Sequence, residues 1–301
     1  MFKFERDQIT CRIGNVELGG QPGERPTVLI GSIFFARHKI VQDSQRGLFD
    51  RSKALALLHS EEEASSFSGN PRFIDPVADT SEALIRYIEF LAAQTTAPIL
   101  VDSPLPAVRM ETLRHFAGTE VMPRLIYNSL SEDCTAEELV AIRESGLKNA
   151  IVLAFSTRAM RPGQRVKLLE ERLLPAARSA GIENVLVDVG VLDIASASWS
   201  ALAIREVKAA LGLPTGCAPA NALCTWHKMA SRGDPPYTAA MASTLAMLVS
   251  QGADLLLYGP MRFAPWVYPA VGAANALQAY SGRLTGVRPA SAEHPLFRLL
   301  Q

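Results

Sequence analysis

Residues 98–103 read Pro-Ile-Leu-Val-Asp-Ser, a short apolar run that ends in a carboxylate at Asp102. Such runs are typical of parallel strands that are buried on both faces. Three more stretches end in the same way: 124–129 (Arg-Leu-Ile-Tyr-Asn-Ser), 185–190 (Val-Leu-Val-Asp-Val-Gly) and 213–221 (Leu-Pro-Thr-Gly-Cys-Ala-Pro-Ala-Asn). In a closed (β/α)8 barrel, the carboxyl ends of the strands form the floor of the active site. The pattern therefore predicts one site that is lined by Asp102, Asn128, Asp188 and Asn221.

The apolar runs recur at a rhythm that fits repeated strand–helix units. There are eight of them: Val28–Ser32, Phe73–Asp75, Ile99–Asp102, Leu125–Asn128, Ile151–Phe155, Val185–Asp188, Pro214–Cys217 and Leu255–Tyr258. This alternation predicts an α/β fold, a single (β/α)8 TIM barrel. An open, doubly wound sheet is the alternative, although no Gly-x-Gly-x-x-Gly fingerprint of a dinucleotide fold follows the first run.

Helix signals fill the segments between the runs. Apolar residues at helical spacing follow Thr80, and Thr135-Ala-Glu-Glu138 fits a capping box. Glycines predict the ends of four helices, at Gly146, Gly181, Gly212 and Gly252.

No linker or low-complexity tract divides the chain, so we expect one TIM-barrel domain over residues 1–301. Residues 1–27 form a cap segment in which the turn residues 19–24 predict a short hairpin. The long loop 34–49 lies on the active-site side of a barrel, where it could be a solvated lid or a partner-docking element.

Composition narrows the class of protein. Thirty basic and thirty acidic residues cancel, which disfavours nucleic acid or an anionic membrane as partner. Four scattered cysteines fit a reducing compartment, and no segment has the apolar length of a membrane span or signal peptide. We therefore expect a soluble, cytoplasmic protein.

Several chemistries find little support. No lysine follows a strand-like run as a Schiff base would require, and no Gly-x-Ser-x-Gly elbow is present. Cys217, Cys224 and His227 approach a zinc set, but their spacing fits buried thiols and a helical histidine better, so no bound metal is expected. Asp102 and Asp188 could serve glycoside hydrolysis, a weak alternative.

The remaining chemistry is recognition of a heterocycle. Carboxylates accept hydrogen bonds from ring NH and NH2 groups, and carboxamides both donate and accept. A pterin offers such an array along one edge. The alternative for each residue taken alone is a cap on the following helix, and four in register make it improbable that all are caps.

These residues resemble a known family, that of the H subunit of tetrahydromethanopterin S-methyltransferase, and more closely its bacterial branch that methylates tetrahydrofolate in glycine betaine demethylation. The resemblance covers nearly the whole chain. A more distant similarity links it to the methyltetrahydrofolate:corrinoid protein methyltransferases, which are pterin-binding TIM barrels. The motifs that carry the resemblance are 19–24, 27–34, 38–41, 124–129, 151–155, 187–193, 216–221 and 258–261.

The resemblance implies methyl transfer from a methylcobalamin, carried by a partner corrinoid protein, to N5 of tetrahydrofolate by SN2 displacement. It implies that Asp102, Asn128 and Asp188 bind the pterin edge and that Asn221 lies near N5, with Asp188 and Asn221 as the catalytic pair. Secondary lining would come from Ser129, Phe155 and Gly190. A homodimer is also implied by similarity.

Two other interpretations remain open. The chain could be a non-catalytic subunit that binds pterin or corrinoid protein within a larger complex. It could also be a zinc-dependent thiol methyltransferase that uses Cys217 or Cys224.

Overall fold

The computed structural model describes residues 2–300, and its centre is a closed barrel of eight parallel strands in the order β10-β11-β12-β3-β6-β7-β8-β9. Two antiparallel hairpins, β1–β2 and β4–β5, lie outside the barrel. The strands are β1 (Thr10–Ile13), β2 (Val16–Gly19), β3 (Val28–Ile33), β4 (Val41–Asp43), β5 (Leu48–Phe49), β6 (Arg72–Pro76), β7 (Ile99–Asp102), β8 (Leu125–Leu130), β9 (Asn149–Leu153), β10 (Asn184–Asp188), β11 (Thr215–Cys217) and β12 (Leu255–Pro260).

Helices connect successive barrel strands. They are α1 (Arg51–Ser68), α2 (Ser81–Gln94), α3 (Pro106–Phe116), α4 (Ala136–Ser145), α5 (Pro162–Leu168), α6 (Leu174–Ser179), α7 (Ala197–Leu211), α8 (Ala220–Cys224), α9 (His227–Ala230), α10 (Pro236–Ser250), α11 (Ala264–Gly282) and α12 (Pro295–Leu300). A π-helical turn, Leu169–Leu173, joins α5 to α6. Within residues 2–300, none of the helices has the length and apolar character needed to cross a membrane.

Alternation along each strand divides the core into two parts. Outward side chains pack under the helices, whereas inward side chains fill the barrel as one apolar cluster. The inward cluster contains Val28, Ile30, Phe73, Leu100, Ile126, Ile151, Leu186, Leu255 and Leu257.

The β1–β2 hairpin closes the amino end of the barrel. Ile13, Val16 and Leu18 belong to the same apolar cluster as the inward side chains. Asn184, the first residue of β10, donates from Nδ2 to the carbonyl oxygen of Arg12 at 3.3 Å. Because this hairpin fills the amino end of the barrel, a site can open only at the carboxyl end of the strands.

The (β/α)8 prediction is confirmed, and the open-sheet alternative is wrong because β9 pairs with β10 to close the sheet. The hairpin predicted near the amino terminus is present as β1–β2, but its turn is at Gly14 and Asn15, and the predicted turn residues 19–24 begin only at its last residue. The loop 34–49 contains the hairpin β4–β5, which the sequence did not predict. Phe155 lies beyond β9, two residues past the strand end, rather than within it.

Helix boundaries follow the predicted signals with one correction. Thr135 accepts a hydrogen bond from the Glu138 N–H, and Gly146 ends α4 with a φ of 79°. The other half of the predicted capping box is wrong. Glu138 is buried, and its carboxylate accepts hydrogen bonds from Arg109 and Tyr127 instead of reaching back to the helix start.

Candidate functional site at the barrel mouth

A polar layer lies directly above the apolar interior of the barrel. Along five strands, the inward residue two positions after an apolar one is polar, so that Ile30 is followed by Ser32 and Leu186 by Asp188. Successive inward positions are two residues apart because strand side chains alternate faces. The layer consists of Ser32, Asp75, Asp102, Asn128 and Asp188, on β3, β6, β7, β8 and β10.

Four of these side chains form a connected group across adjacent strands. The hydroxyl of Ser32 donates to Oδ2 of Asp75 at 2.7 Å. The amide Nδ2 of Asn128 donates to Oδ2 of Asp102 at 3.0 Å. The Asp75 and Asp102 carboxyl groups, between these two bonds, are within hydrogen-bonding reach of each other. Two carboxyl groups can hydrogen-bond to each other only when one of them carries a proton.

Burial and mutual repulsion determine how this pair ionises. Burial raises the pKa of Asp102 well above its ordinary range, and the neighbouring charge of Asp75 raises it further. Burial also raises the pKa of Asp75. Both shifts favour the protonated form, as expected for two buried carboxyl groups that lie next to each other.

Asp188 occupies the far side of the layer. It is buried, and its Oδ1 accepts the N–H of Gly190 at 2.6 Å. Burial raises the pKa of Asp188 to about 6, and the hydrogen bond from Gly190 opposes this rise. The group is thus a carboxylate at pH 7, with a proton affinity close to the working range of an enzyme.

Gly190 also explains the position of Phe155. Its φ is 71°, and a Cβ at this position would lie 2.6 Å from Cβ of Phe155. A side chain at residue 190 would therefore displace the Phe155 ring, over which the Arg165 guanidinium lies at 5.3 Å from the ring centroid. Gly190 and Phe155 therefore pack together beside Asp188.

The carboxyl groups of the polar layer have no ion-pair partner in residues 2–300, although the more distant charge of the buried Arg165 opposes the rise in the pKa of Asp188. Within residues 2–300, no lysine, arginine or histidine lies within 4.0 Å of the carboxyl groups of Asp75, Asp102 or Asp188 as an ion pair. Oδ1 of Asp75 is buried without a hydrogen-bond partner in the same part of the chain. Buried polar groups are usually satisfied, so acceptors left unpaired at the open end of a barrel point to a ligand that carries N–H donors.

Asn221 is the one predicted residue that the structure places apart. β11 ends at Cys217, and Asn221 lies four residues later as the second residue of α8, with its side chain exposed. It lies in the helix that follows β11 and does not belong to the layer. The prediction that it is a strand-end residue is wrong, because Pro219 already precedes a helical turn. Ser129 follows Asn128 within β8 and is half-buried.

Asp75 and Ser32 are the members of the layer that the predicted site did not include. The signal was available, since Phe73-Ile74-Asp75 follows the rule that identified Asp102. Its apolar run is shorter than the others and is followed by Pro76.

The cysteines do not converge on a metal centre. Cys217 is buried and packs with the outward side chains, whereas Cys224 is exposed on α8. Among residues 2–300, no group of three or more His, Cys, Asp or Glu side chains is positioned to hold a metal ion.

Comparison with known proteins gives consistent matches over almost the whole chain. Residues 6–290 match the family model described as tetrahydromethanopterin S-methyltransferase MtrH subunit. The chain is 35% identical to the H subunit of tetrahydromethanopterin S-methyltransferase from Methanopyrus kandleri, with 96% of this chain and 97% of that protein aligned. It is 34% identical to the H subunit of the putative methyltransferase mtx from Methanosarcina barkeri, with 98% and 99% aligned.

Solved structures with the same fold are more distant in sequence. Dihydropteroate synthase from Xanthomonas albilineans, in complex with 7,8-dihydropteroate, superposes with a TM-score of 0.62 at 18% identity, covering 90% of this chain and 98% of that one. The Yersinia pestis dihydropteroate synthase with a sulfonamide drug complex has a TM-score of 0.63 at 15% identity, covering 90% and 100%. At these identities the likeness establishes the barrel fold alone.

Proposed function

The chain belongs to the MtrH family of tetrahydromethanopterin S-methyltransferase, and from that membership we propose that it transfers a methyl group between a corrinoid and a reduced pterin. The observation that carries the proposal is the polar layer, where three acidic side chains and an amide meet at the barrel mouth without an ion-pair partner among residues 2–300. The fold is shared with a protein crystallised with 7,8-dihydropteroate, which supports a pterin as the ligand of this mouth.

In this proposal the ring edge of the pterin lies across the layer. Asp188 accepts hydrogen bonds from ring nitrogen donors as a carboxylate. Asp102 and Asn128 form the opposite side, where the Asn128 amide oxygen remains available while Nδ2 is bonded to Asp102. Charge-assisted hydrogen bonds of this kind contribute about 1.5–3 kcal/mol each. The ring is neutral and flat, which fits a layer that offers acceptors but no ion-paired cation among residues 2–300.

The transfer itself requires positioning more than acid–base chemistry. The lone pair of the pterin N5 forms the new N–C bond, the Co–C bond breaks with its electron pair remaining on cobalt as Co(I), and N5 then loses its proton. In-line alignment of two bound reactants can supply roughly 7–11 kcal/mol of a barrier. Asn221, on the rim, is suited to hydrogen-bond near N5 and to orient it.

The finer identity of the substrates rests on the sequence motifs. We propose tetrahydrofolate as the pterin and a methylcobalamin carried by a separate corrinoid protein as the methyl donor, in the one-carbon metabolism of methylated amines such as glycine betaine. The relative from Methanopyrus kandleri is named for tetrahydromethanopterin, so the choice of pterin is the first point to test. A homodimer in the cytoplasm completes the proposal.

A second candidate function follows from the names of the relatives. Both are named as one subunit of a methyltransferase, so the chain could bind pterin or a corrinoid protein within a larger complex and lack turnover by itself. This candidate predicts ligand binding by the pure chain in the absence of methyl transfer.

One anaerobic experiment separates these functions. The purified chain is mixed with free methylcobalamin and either tetrahydrofolate or tetrahydromethanopterin, and cob(I)alamin is followed by absorbance. Formation of cob(I)alamin and the methylated pterin supports the transferase and identifies its pterin.

If no turnover occurs, calorimetric titration with each pterin shows whether the chain binds a pterin at all. If the inactive chain binds a pterin, it is either a binding subunit or an enzyme that requires the corrinoid carrier protein. Adding a methylated corrinoid protein distinguishes the two, because only the enzyme would then transfer the methyl group. Absence of binding to both pterins contradicts the proposed function.

A further inference from the structure

A cavity of about 690 Å³ opens beside the barrel mouth, between the loop that follows β3, the start of α1 and the turn that follows β12. Both strands run parallel and adjacent, so the cavity lies at the same end of the barrel as the polar layer. It is lined by residues 35–40, Lys53, Ala56, Leu57 and Arg262.

The cavity is cationic at its rim and apolar beneath. Arg37, Lys39, Lys53 and Arg262 contribute four positive charges, and no acidic residue is among those that line it. Arg37, Lys39 and Arg262 are exposed and have no ion-pair partner within the described residues 2–300, whereas Lys53 pairs with Asp50. Unpaired cations gathered around one concave surface favour an anionic ligand.

The loop that carries these charges is held in one conformation. Phe34 donates its N–H to Nδ1 of His38 at 3.0 Å, and the His38 ring stacks on Phe35 with ring centroids 4.5 Å apart. Because Nδ1 accepts a hydrogen bond, the proton of the neutral ring is on Nε2, which makes His38 a further donor. Phe34 and Arg37 both have a φ of 64°, a left-handed conformation that is costly for residues other than glycine.

The cavity is adjacent to the site, and one residue lies between them. Ala36 lines it and also lines a neighbouring cavity of about 360 Å³ that reaches Asp102 and Pro104. A ligand whose ring lies in the polar layer could therefore extend past Ala36 into the cationic cavity.

We propose that this cationic cavity binds the aryl-carboxylate tail of the pterin substrate. The inference rests on the proposed function and adds a second subsite to it. The tail of a folate-type pterin is a flat aryl group followed by carboxylates, which matches an apolar floor of Phe35, Ile40 and Leu57 below a cationic rim. A concave cavity of this volume suits a narrow chain, whereas the acidic face of a docking protein would need an open surface.

The test compares three ligands by calorimetry: 6-methyltetrahydropterin, which has no tail, tetrahydrofolate, and its triglutamate. The variant is K39Q/R262Q, and the matched control is R114Q/R178Q, which removes two exposed arginines from α3 and α6. We expect the wild type and the control to bind tetrahydrofolate more tightly than the tailless pterin, and the triglutamate more tightly still. In K39Q/R262Q the affinity for tetrahydrofolate should fall about tenfold, with the tailless pterin unaffected.

The dependence of ligand affinity on ionic strength gives an independent test. The preference of the wild type for the triglutamate should weaken as ionic strength rises, because exposed charges are screened.

If K39Q/R262Q retains the full preference for tailed ligands, the tail subsite is wrong while the pterin site stands. If the variant changes only the KM for a methylated corrinoid, the cavity serves the corrinoid and the inference is overturned. If the wild type binds tetrahydromethanopterin but none of the three ligands, the tail subsite is overturned, and if it binds no pterin at all, the proposed function itself fails.

Discussion

Asp254 and Asp188 are both buried carboxylates at the ends of barrel strands, yet their surroundings are opposite. Asp254 precedes β12 at the amino end, where Oδ2 accepts hydrogen bonds from Nζ of Lys208 at 2.5 Å and from the Thr215 N–H at 2.9 Å. Asp188 ends β10 at the mouth, and its hydrogen-bond partners are backbone N–H groups.

We propose that this difference separates a structural acid, Asp254, from a ligand-binding one, Asp188. Lys208 is itself buried and also donates to the carbonyl oxygen of Gly20, so the pair fixes the segment that leads from the hairpin into β3. The charge of Asp254 is thus neutralised by a buried cation within the fold. The carboxylate of Asp188 retains acceptor capacity and faces the open end, so it can accept donors from a bound ring.

The largest effect should come from breaking the amino-end pair. Replacing Lys208 with methionine keeps the length of the side chain but leaves Asp254 buried without its cation, which should lower the free energy of unfolding by about 3–5 kcal/mol. Denaturant unfolding measures the change. The control is K148M, which removes an exposed pair with Glu183 at 2.8 Å and should cost less than about 1 kcal/mol. Equal losses in the two variants would refute the distinction between the two ends of the barrel.

Removing the Asp188 carboxylate at the barrel mouth should have the opposite effect, a large loss of ligand affinity with little change in the free energy of unfolding. D188A should weaken pterin binding by about 2 kcal/mol, roughly thirtyfold, because one charge-assisted set of hydrogen bonds is lost. The free energy of unfolding should change by less than about 1 kcal/mol, since the buried Arg165, whose charge acts on Asp188, forms no ion pair with it and keeps its hydrogen bond to the Met160 carbonyl oxygen. D193A, at an exposed aspartate that accepts the Ser196 N–H, is the control for calorimetry and unfolding. An unchanged affinity in a folded D188A protein would remove Asp188 from the site.

Lowering the pH should weaken pterin binding at Asp188 but increase the contribution of this residue to the free energy of unfolding. Its pKa is raised to about 6 from an ordinary value of 3.8, so the ring-binding carboxylate is progressively lost as pH falls through 6. Affinity for the pterin should fall about tenfold from pH 7 to pH 5. The stability contribution of a group with a raised acid pKa is present below 3.8 and is lost as pH rises through 6. Calorimetry of the wild type and of D188A across this range tests the assignment, because D188A should lack this part of the pH dependence.

The smallest effect is expected at the rim. N221A should lower kcat about fivefold, equivalent to roughly 1 kcal/mol for one neutral hydrogen bond, and leave the pterin Kd within about twofold. Lys228, exposed on the next short helix, provides the control variant K228A. If N221A weakens binding and leaves kcat intact, Asn221 is a binding residue and the proposed role near N5 is wrong.

Much of the fold followed from local patterns. Eight apolar runs at regular spacing predicted the barrel strands, and glycines at the ends of helices predicted where α4 and α7 stop, as Gly146 and Gly212 do in left-handed conformations. The failures have local causes as well. Glu138 has the spacing of a capping residue, but a buried arginine and tyrosine compete for its carboxylate. Asn221 lies four residues past Cys217, where both the predicted run and β11 end, and it belongs to the following helix α8.

The sequence by itself determined which side chains point into the barrel, because alternation along a strand is a property of the backbone that needs no distant partner. It therefore predicted Asp102, Asn128 and Asp188 at one end. Only the tertiary structure decided what each carboxylate meets. Closure of the barrel brings Asp75 against Asp102 from neighbouring strands, and it brings Lys208 to Asp254 from 46 residues away. Desolvation and pairing depend on these distant contacts, so the same residue type becomes a structural anchor at one end and an unpaired acceptor at the other.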